Sequence, residues 1–136
     1  MSDTGLIPFK DWEEMLKVLD KNTGLDNPLT PFIKEIFLIE CRVAGTGYVE
    51  DIDKKSADLI PDSLLVFQRE TTNPYDANAI LILNKRQEKL GYVPKAKNEI
   101  LARLMDGGKL IFGKVVKREF NDDWLNLTIK VFLRDF

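Results

Sequence analysis

The last third of the chain contains the pattern that most restricts its fold. From Leu125 to Leu133, leucine, isoleucine and valine occupy every second position and alternate with mostly polar residues. Such alternation indicates a β-strand with one buried and one exposed face. A similar apolar run at 110–120 is separated from 124–134 only by Asn121-Asp122-Asp123. These segments therefore predict a long antiparallel hairpin.

Shorter segments before this hairpin predict four more strands, at 35–45, 63–70, 77–84 and 88–93. Helical spacing predicts amphipathic helices at 8–20 and from Pro94 to Gly107-Gly108. This order has no βαβ repeat, and its turns are short. We therefore expect an α+β fold that is mostly β: a small, strongly bent antiparallel barrel with two helices at its ends.

Finer expectations concern which side chains face the core. Residues 50–62 are charged and interrupted by Pro61, which predicts a surface loop. The first strand and the second helix each have residues expected to point inward: Phe37, Ile39, Cys41 and Val43, and Ile100, Leu101, Leu104 and Met105.

The length of 136 residues indicates one globular domain. Within it, residues 1–34 are expected to form a helix and an irregular connection, and residues 35–136 the barrel. No apolar run reaches the roughly 20 residues of a membrane span, and the N-terminus lacks the features of a signal peptide. We expect a cytoplasmic monomer without membrane association.

Histidine is absent and cysteine occurs once, which leaves few routes to catalysis or metal binding. Ser-His and Cys-His nucleophile pairs, histidine metal sites and thiolate zinc sites are excluded. Cys41 is interpreted as a small core residue. We expect no catalytic residues, no metal site, no cofactor and no enzymatic activity.

Charge is unevenly distributed although the net charge is only −2. Residues 1–84 hold 8 basic and 15 acidic side chains, whereas residues 85–119 hold 10 basic and 4 acidic ones. A chain with this asymmetry can present one positive face to an anionic partner. Ordinary solvation of the surface explains the same distribution.

The segment Asn73-Pro74-Tyr75-Asp76 predicts a rigid turn between two strands. A turn does not require an aromatic ring. An exposed tyrosine could stack on a nucleic-acid base, and an adjacent carboxylate could accept a hydrogen bond from a terminal hydroxyl. Packing of Tyr75 on the helix and capping of turn amides by Asp76 are the structural alternatives.

Several segments together resemble the HIRAN domain family in order and spacing. They are V-A-G-T-G-Y (43–48), L-V-F-Q-R-E-T-T-N-P-Y-D-A-N-A-I (65–80), L-G-Y-V-P (90–94) and N-E-I-L-A-R-L-M-D-G-G (98–108). The resemblance covers roughly residues 36–118. It implies an OB-like barrel that binds single-stranded DNA at a free 3′-OH end, in DNA repair or replication.

The resemblance also implies which residues would bind nucleic acid: Tyr48, Asn73, Tyr75, Asp76, Tyr92, Lys95 and Lys97. Two positions depart from the family pattern. Helicase-borne members tend to have arginine and a second aromatic where this chain has Gly47 and Val49. Tyr92 could instead be a structural residue of the barrel rim. Trp12 and Trp124 are expected to pack rather than bind bases.

Two other functions are compatible with the sequence. A protein-interaction module could use the same rim together with the N-terminal helix, with a partner from DNA processing. A magnesium-dependent nuclease could use carboxylates, although no pair lies in a recognisable motif. Salt-dependent binding to DNA would favour the DNA-binding function. Metal-dependent cleavage of DNA would be needed to support the nuclease.

Overall fold

The computed structural model of the protein describes residues 34–135. It contains six strands: β1 (Lys34–Arg42), β2 (Leu64–Arg69), β3 (Ile80–Leu83), β4 (Lys89–Tyr92), β5 (Leu110–Asn121) and β6 (Trp124–Asp135). It also contains two α-helices, α1 (Ile52–Lys55) and α2 (Asn98–Asp106), and 3-10 turns at Thr46–Tyr48 and Lys95–Lys97. The helix predicted at residues 8–20 lies outside the described residues.

The strands form one antiparallel sheet in the order β1-β6-β5-β2-β3-β4. β5 and β6 pair along their whole length, from Leu110 with Arg134 to Asn121 with Trp124, so the predicted hairpin is present. The sheet curls until its edges meet just beyond β1. There, Ala44 and Tyr92 each donate a backbone hydrogen bond of 2.8 Å to the carbonyl of the other.

This closure depends on the absence of a side chain at Gly91. A Cβ at that position would lie 2.4 Å from the carbonyl oxygen of Ala44 and 2.6 Å from a methyl group of Val43. Both distances are shorter than van der Waals contact allows. Glycine therefore permits the chain beyond β1 to approach β4 closely enough for the bridge to form.

The interior of the barrel contains one apolar cluster to which every strand contributes. α2 covers it through Leu101 and Ala102, and α1 lies against it through Ile52. The fold is thus an α+β, mostly β, curled OB-like barrel, as the sequence predicted, and α2 is the second of the two predicted helices. The buried members of the cluster are Cys41, Val43, Leu59, Leu65, Phe67, Ile80, Ile82, Leu90, Val93, Leu101, Ala102, Ile111, Val115, Leu125, Leu127, Ile129 and Val131.

The prediction that Phe37 faces inward is wrong. The register with β6 shifts between Phe37 and Ile39, so that Phe37 lies opposite Phe132 and Ile39 opposite Val131. The extra residue, Leu38, forms an irregularity that places Phe37 on the other face of the sheet from Ile39. Strand alternation predicts faces correctly only where such an irregularity is absent.

Two other local predictions also need correction. Ile100 is exposed, because α2 begins with the buried Asn98 and turns Leu101 and Ala102 toward the core instead. Residues 50–62 are not simply a surface loop, since they contain α1 and bury Leu59. None of the helices in residues 34–135 is long and apolar enough to cross a membrane.

Candidate nucleic-acid interface

The Asn73-Pro74-Tyr75-Asp76 turn is held by the side chain of Asn73. Its Oδ1 accepts hydrogen bonds from the amides of Tyr75 at 2.8 Å and Asp76 at 3.1 Å. Its Nδ2 donates to Glu70 Oε1 at 2.8 Å. Both the oxygen and the nitrogen of the Asn73 side-chain amide therefore help to shape the turn, which makes Asn73 a positioning residue in this structure.

Arg69 anchors the same turn to the end of α2. Its guanidinium donates to the carbonyls of Ala77 and Ala79 and forms a two-contact ion pair with Asp106. These bonds fix both sides of the turn, and Pro74 fixes its own φ angle. A rigid turn loses little conformational entropy when a ligand binds.

The ring of Tyr75 projects from this turn into solvent, with 88% of the residue exposed. Packing of Tyr75 on the helix, the structural alternative considered from the sequence, does not occur in the structure. A tyrosine this exposed contributes almost nothing to folding by burial. Its whole face is available for stacking.

Asp76 lies beside Tyr75 with its carboxylate oriented by two donors. Oδ1 accepts from the amide of Asn78 at 2.9 Å, and Oδ2 accepts from Asn98 Nδ2 at 2.7 Å. The bond from the Asn78 amide is the main cause that lowers the pKa of Asp76, with smaller contributions from Asn98, Lys95 and Arg69. The group is therefore an anion at neutral pH, and each oxygen keeps capacity for a further donor.

A second loop, residues 45–49, follows the barrel closure. Gly45 adopts a φ of 78°, which favours glycine, and the buried Thr46 donates its hydroxyl to the Leu125 carbonyl at 2.8 Å. Tyr48 is 91% exposed, whereas Val49 is buried. The position where the family tends to have a second aromatic thus belongs to the core in this chain.

Trp124 lies directly over Gly47. A Cβ on Gly47 would be 2.7 Å from the Trp124 ring, so the indole occupies the space in which a side chain would begin. Trp124 itself is 54% exposed. The ring packs against Gly47, as expected, and its remaining surface is exposed beside the loop that carries Tyr48.

Tyr92 connects the two loops. Its backbone pairs with Ala44, next to Gly45, and its hydroxyl donates to Glu70 Oε1 at 2.8 Å, the same oxygen that receives Asn73. Burial, and then the bond to Glu70, raise the pKa of Tyr92. Because its hydroxyl is hydrogen-bonded to Glu70, Tyr92 in this structure mainly holds the two loops together.

Two lysines lie near Tyr92 and the turn, and a third, Lys97, lies elsewhere. Lys89 Nζ lies 4.7 Å from the centroid of the Tyr92 ring. Lys95 is exposed and close enough to Asp76 to lower its pKa, whereas Lys97 acts on Cys41 of β1. The structure therefore brings Lys95 to the Tyr75 turn and places Lys97 toward β1, although the two lie in one 3-10 turn.

Ion pairs neutralise much of the basic segment 85–119. Arg86 pairs with Asp58 and Glu88, Arg103 with Glu99, Lys114 with Glu35, and Lys117 with Glu119. Lys89, Lys95 and Lys97 form no ion pair within residues 34–135. Of these three, Lys89 lies against the Tyr92 ring and Lys95 lies near Asp76, so both contribute positive charge beside the Tyr75 turn.

Comparison with known proteins gives the family. The HIRAN domain model matches residues 36–134. The chain belongs to the HIRAN domain family. This match includes β6, so it extends beyond the 36–118 estimated from the motifs. A search of curated proteins found no match.

Solved structures with a similar fold include two kinds of relative. A crystal structure of a protein from Lactobacillus plantarum, a structural genomics target, shares 29% identity over 76% of this chain and 99% of that one, with a TM-score of 0.70. The crystal structure of the HIRAN domain of human HLTF shares 23% identity over 74% and 78%, with a TM-score of 0.56. The NMR structure of the HLTF HIRAN domain in its DNA-bound conformation shares 24% identity over 73% and 79%, with a TM-score of 0.48.

The site residues predicted from the HIRAN motifs lie on both loops but do not include all the side chains that support these loops. Asn98 is buried and orients Asp76 from α2, and Glu70 connects Tyr92 to Asn73. Trp124 reaches the Tyr48 loop from the hairpin end. No spacing rule links these positions. Nothing in the sequence distinguishes Asn98 from an ordinary asparagine at a helix start.

Proposed function

We propose that this HIRAN protein is a non-catalytic module that binds single-stranded DNA, with a preference for free 3′-OH ends. The observation that carries the proposal is the pair of tyrosines, Tyr48 and Tyr75, almost fully exposed on two rigid loops that Tyr92 joins. The HIRAN domain of human HLTF has been solved in a DNA-bound conformation, and we extend its ligand class to this chain.

Stacking supplies the part of the affinity that does not depend on sequence. A base stacked on an aromatic side chain contributes roughly 1–3 kcal/mol, whatever the base. Trp124 offers a further aromatic surface beside Tyr48. Lys95 and Lys89 are placed to attract the phosphates, since neither is paired with an acid in the described residues.

End preference is proposed to come from Asp76. Its charged carboxylate accepts a hydrogen bond from a terminal hydroxyl and repels a terminal phosphate. Asn98 and the amide of Asn78 hold the carboxylate in place before the ligand arrives. Preorganisation of this kind lowers the entropic cost of recognition.

The test is a titration of short oligonucleotides that differ only at the 3′ terminus, monitored by fluorescence anisotropy. The unmodified protein should bind the 3′-OH strand more tightly than the 3′-phosphate strand. Asp76→Asn keeps the shape of the side chain and should narrow this preference more than it lowers overall affinity. Equal affinity of the unmodified protein for both ends would refute end recognition.

The same titration addresses catalysis. The described residues contain no group of three or more acidic or cysteine side chains that could hold a metal ion. We therefore expect the oligonucleotides to remain intact with and without Mg²⁺. Cleavage that co-purifies with the protein and disappears in Asp76→Asn would indicate a nuclease instead.

A protein-interaction role is the second candidate, favoured by a groove between β1 and α2. The groove has a volume of about 440 Å³ and is lined mainly by apolar side chains, among them Leu38, Ile39, Ile100 and Leu104. It lies beside Lys97 rather than beside the Tyr75 turn. A partner bound there would leave the DNA interface free, which suits a module that recruits other proteins to 3′ ends during repair or replication.

A further inference from the structure

The sheet has a second apolar face that the barrel core does not explain. Val66 pairs directly with Phe112 on β5 and with Leu83 on β3, so the three side chains project from the same side of the sheet. None of the three belongs to the apolar cluster inside the barrel, yet all three are buried. Leu64, Phe132 and Arg134 join them, and we call these six residues the outward face.

Burial on the outward face is too complete for an open sheet surface. Phe112 is 1% exposed and Arg134 is 2% exposed. A sheet that is apolar on both sides needs a packed layer on each. Among residues 34–135, α1 and α2 both lie against the barrel core through Ile52 and Leu101, so neither provides this layer.

Arg134 adds a polar requirement. Its Nη2 donates to Glu35 Oε2 at 2.7 Å, but its buried Nε has no hydrogen-bond partner. A buried guanidinium N–H without an acceptor is costly. Lys114 and Lys130 lie on the same side as Arg134, and Glu35 and Glu40 are the acids there, so three bases against two acids leave a net positive charge.

We propose that residues 8–20 of the same chain cover the outward face. This segment places Phe9, Trp12, Leu16 and Leu19 on one side of the predicted helix. It holds four acidic and two basic side chains, which complements the positive face. The 13 residues between this segment and β1 can span up to roughly 43 Å, which is long enough for the segment to reach the outward face of the same sheet.

The experiment uses Trp12 as a reporter in the full-length chain. The sequence has two tryptophans, so Trp124→Phe leaves Trp12 as the only one. In this background, Trp12 emission should be blue-shifted, and acrylamide should quench it several-fold less than in denaturant. Emission and far-UV circular dichroism should change together on unfolding.

Matched variants test both sides of the contact. Leu16→Glu should make Trp12 as accessible to acrylamide as in denaturant, whereas Val18→Glu, about 200° around the same helix, should not. On the sheet, Phe132→Ala should increase quenching of Trp12, whereas Ile100→Ala in the β1–α2 groove should leave it unchanged.

Three outcomes would overturn the proposal. Quenching of Trp12 as strong in the folded chain as in denaturant would mean that the segment is not docked. A response to Ile100→Ala but not to Phe132→Ala would place the segment in the groove. Protection that is lost on dilution, together with a change in mass by light scattering, would mean that it covers a second copy. None of these outcomes depends on DNA binding.

Discussion

At the residue scale, the two exposed tyrosines differ from the side chains that support them. Tyr48 and Tyr75 make almost no contribution to folding by burial, whereas Asn73, Glu70 and Asn98 are committed to internal hydrogen bonds. This division allows stability and binding to be perturbed separately. The turn sequence suggested Tyr75 and the HIRAN resemblance suggested Tyr48, but the internal bonds depend on contacts that only the folded chain creates.

We expect Tyr48→Ala and Tyr75→Ala each to weaken binding of single-stranded DNA by roughly 1–3 kcal/mol, because each removes a stacking surface. The loss should be equal for 3′-OH and 3′-phosphate strands, and melting temperatures should not change. Ile60→Ala, which shortens an exposed apolar side chain outside both loops, is the control. Anisotropy titrations that stay flat for both tyrosine variants would favour the protein-interaction function.

Asn98→Asp tests the support of Asp76. It would place a second carboxylate at the 2.7 Å contact, so one of the two groups should have a raised pKa in the folded state. A raised folded pKa means that stability is retained at low pH and lost as pH rises through that value. Melting temperatures from pH 4 to 8 should therefore fall with pH for Asn98→Asp. Asn98→Ala, which adds no charge, should show a loss that does not depend on pH.

Cys41 provides a test of the core. Burial, opposed by the nearby Lys97, raises the pKa of its thiol from 9.0 to about 11. A shift of two units lowers the thiolate fraction about 100-fold, and access is restricted as well. Labelling with a thiol reagent at pH 8 should be slow in the native protein and fast in denaturant. The thiol's contribution to stability should be lost as pH rises from about 9 to 11. Native labelling at the denatured rate would contradict the burial of Cys41.

At the element scale, the barrel closure between Ala44 and Tyr92 leaves no room for a side chain at Gly91. We expect Gly91→Ala to destabilise the protein by roughly 1–3 kcal/mol, since its Cβ would overlap the Ala44 carbonyl. Gly107→Ala is the comparison, because there the nearest atom, the Arg103 carbonyl oxygen, is 3.3 Å away. Urea unfolding of both variants measures the difference. Equal losses would mean that the closure is not tight.

The elements also show how far sequence patterns reach. Alternation predicted the β5–β6 hairpin because a paired strand must present one face to the core. It misplaced Phe37 because one extra residue in β1 reverses the alternation, and no local signal marks that residue. Likewise, the motifs show only that Gly47 stands where helicase-borne members tend to have arginine. They do not show that the Trp124 ring, from a distant strand, occupies the space above Gly47. Gly47→Arg can therefore restore a cation only if this indole moves.

At the scale of the whole molecule, affinity for DNA should depend on local charge rather than on net charge. Each phosphate contact on a single strand contributes about 0.7 to the slope of log affinity against log salt. Lys95→Glu should lower affinity and reduce this slope by about one contact. Lys34→Glu makes the same charge change at the start of β1, at the opposite end of that strand from the Tyr48 loop, and should have little effect. Equal effects of both variants would indicate a diffuse field instead of a defined contact.

The pairing of Lys34 with Asp135 places the first residue of β1 beside the last residue of β6. Ala44, next to the Tyr48 loop, lies beyond the far end of β1, roughly 30 Å along the strand. The chain thus enters and leaves the barrel at one end, and the proposed DNA interface lies at the other. A domain with this arrangement can be inserted into a larger polypeptide, or fused to an enzyme, without obstructing the proposed interface.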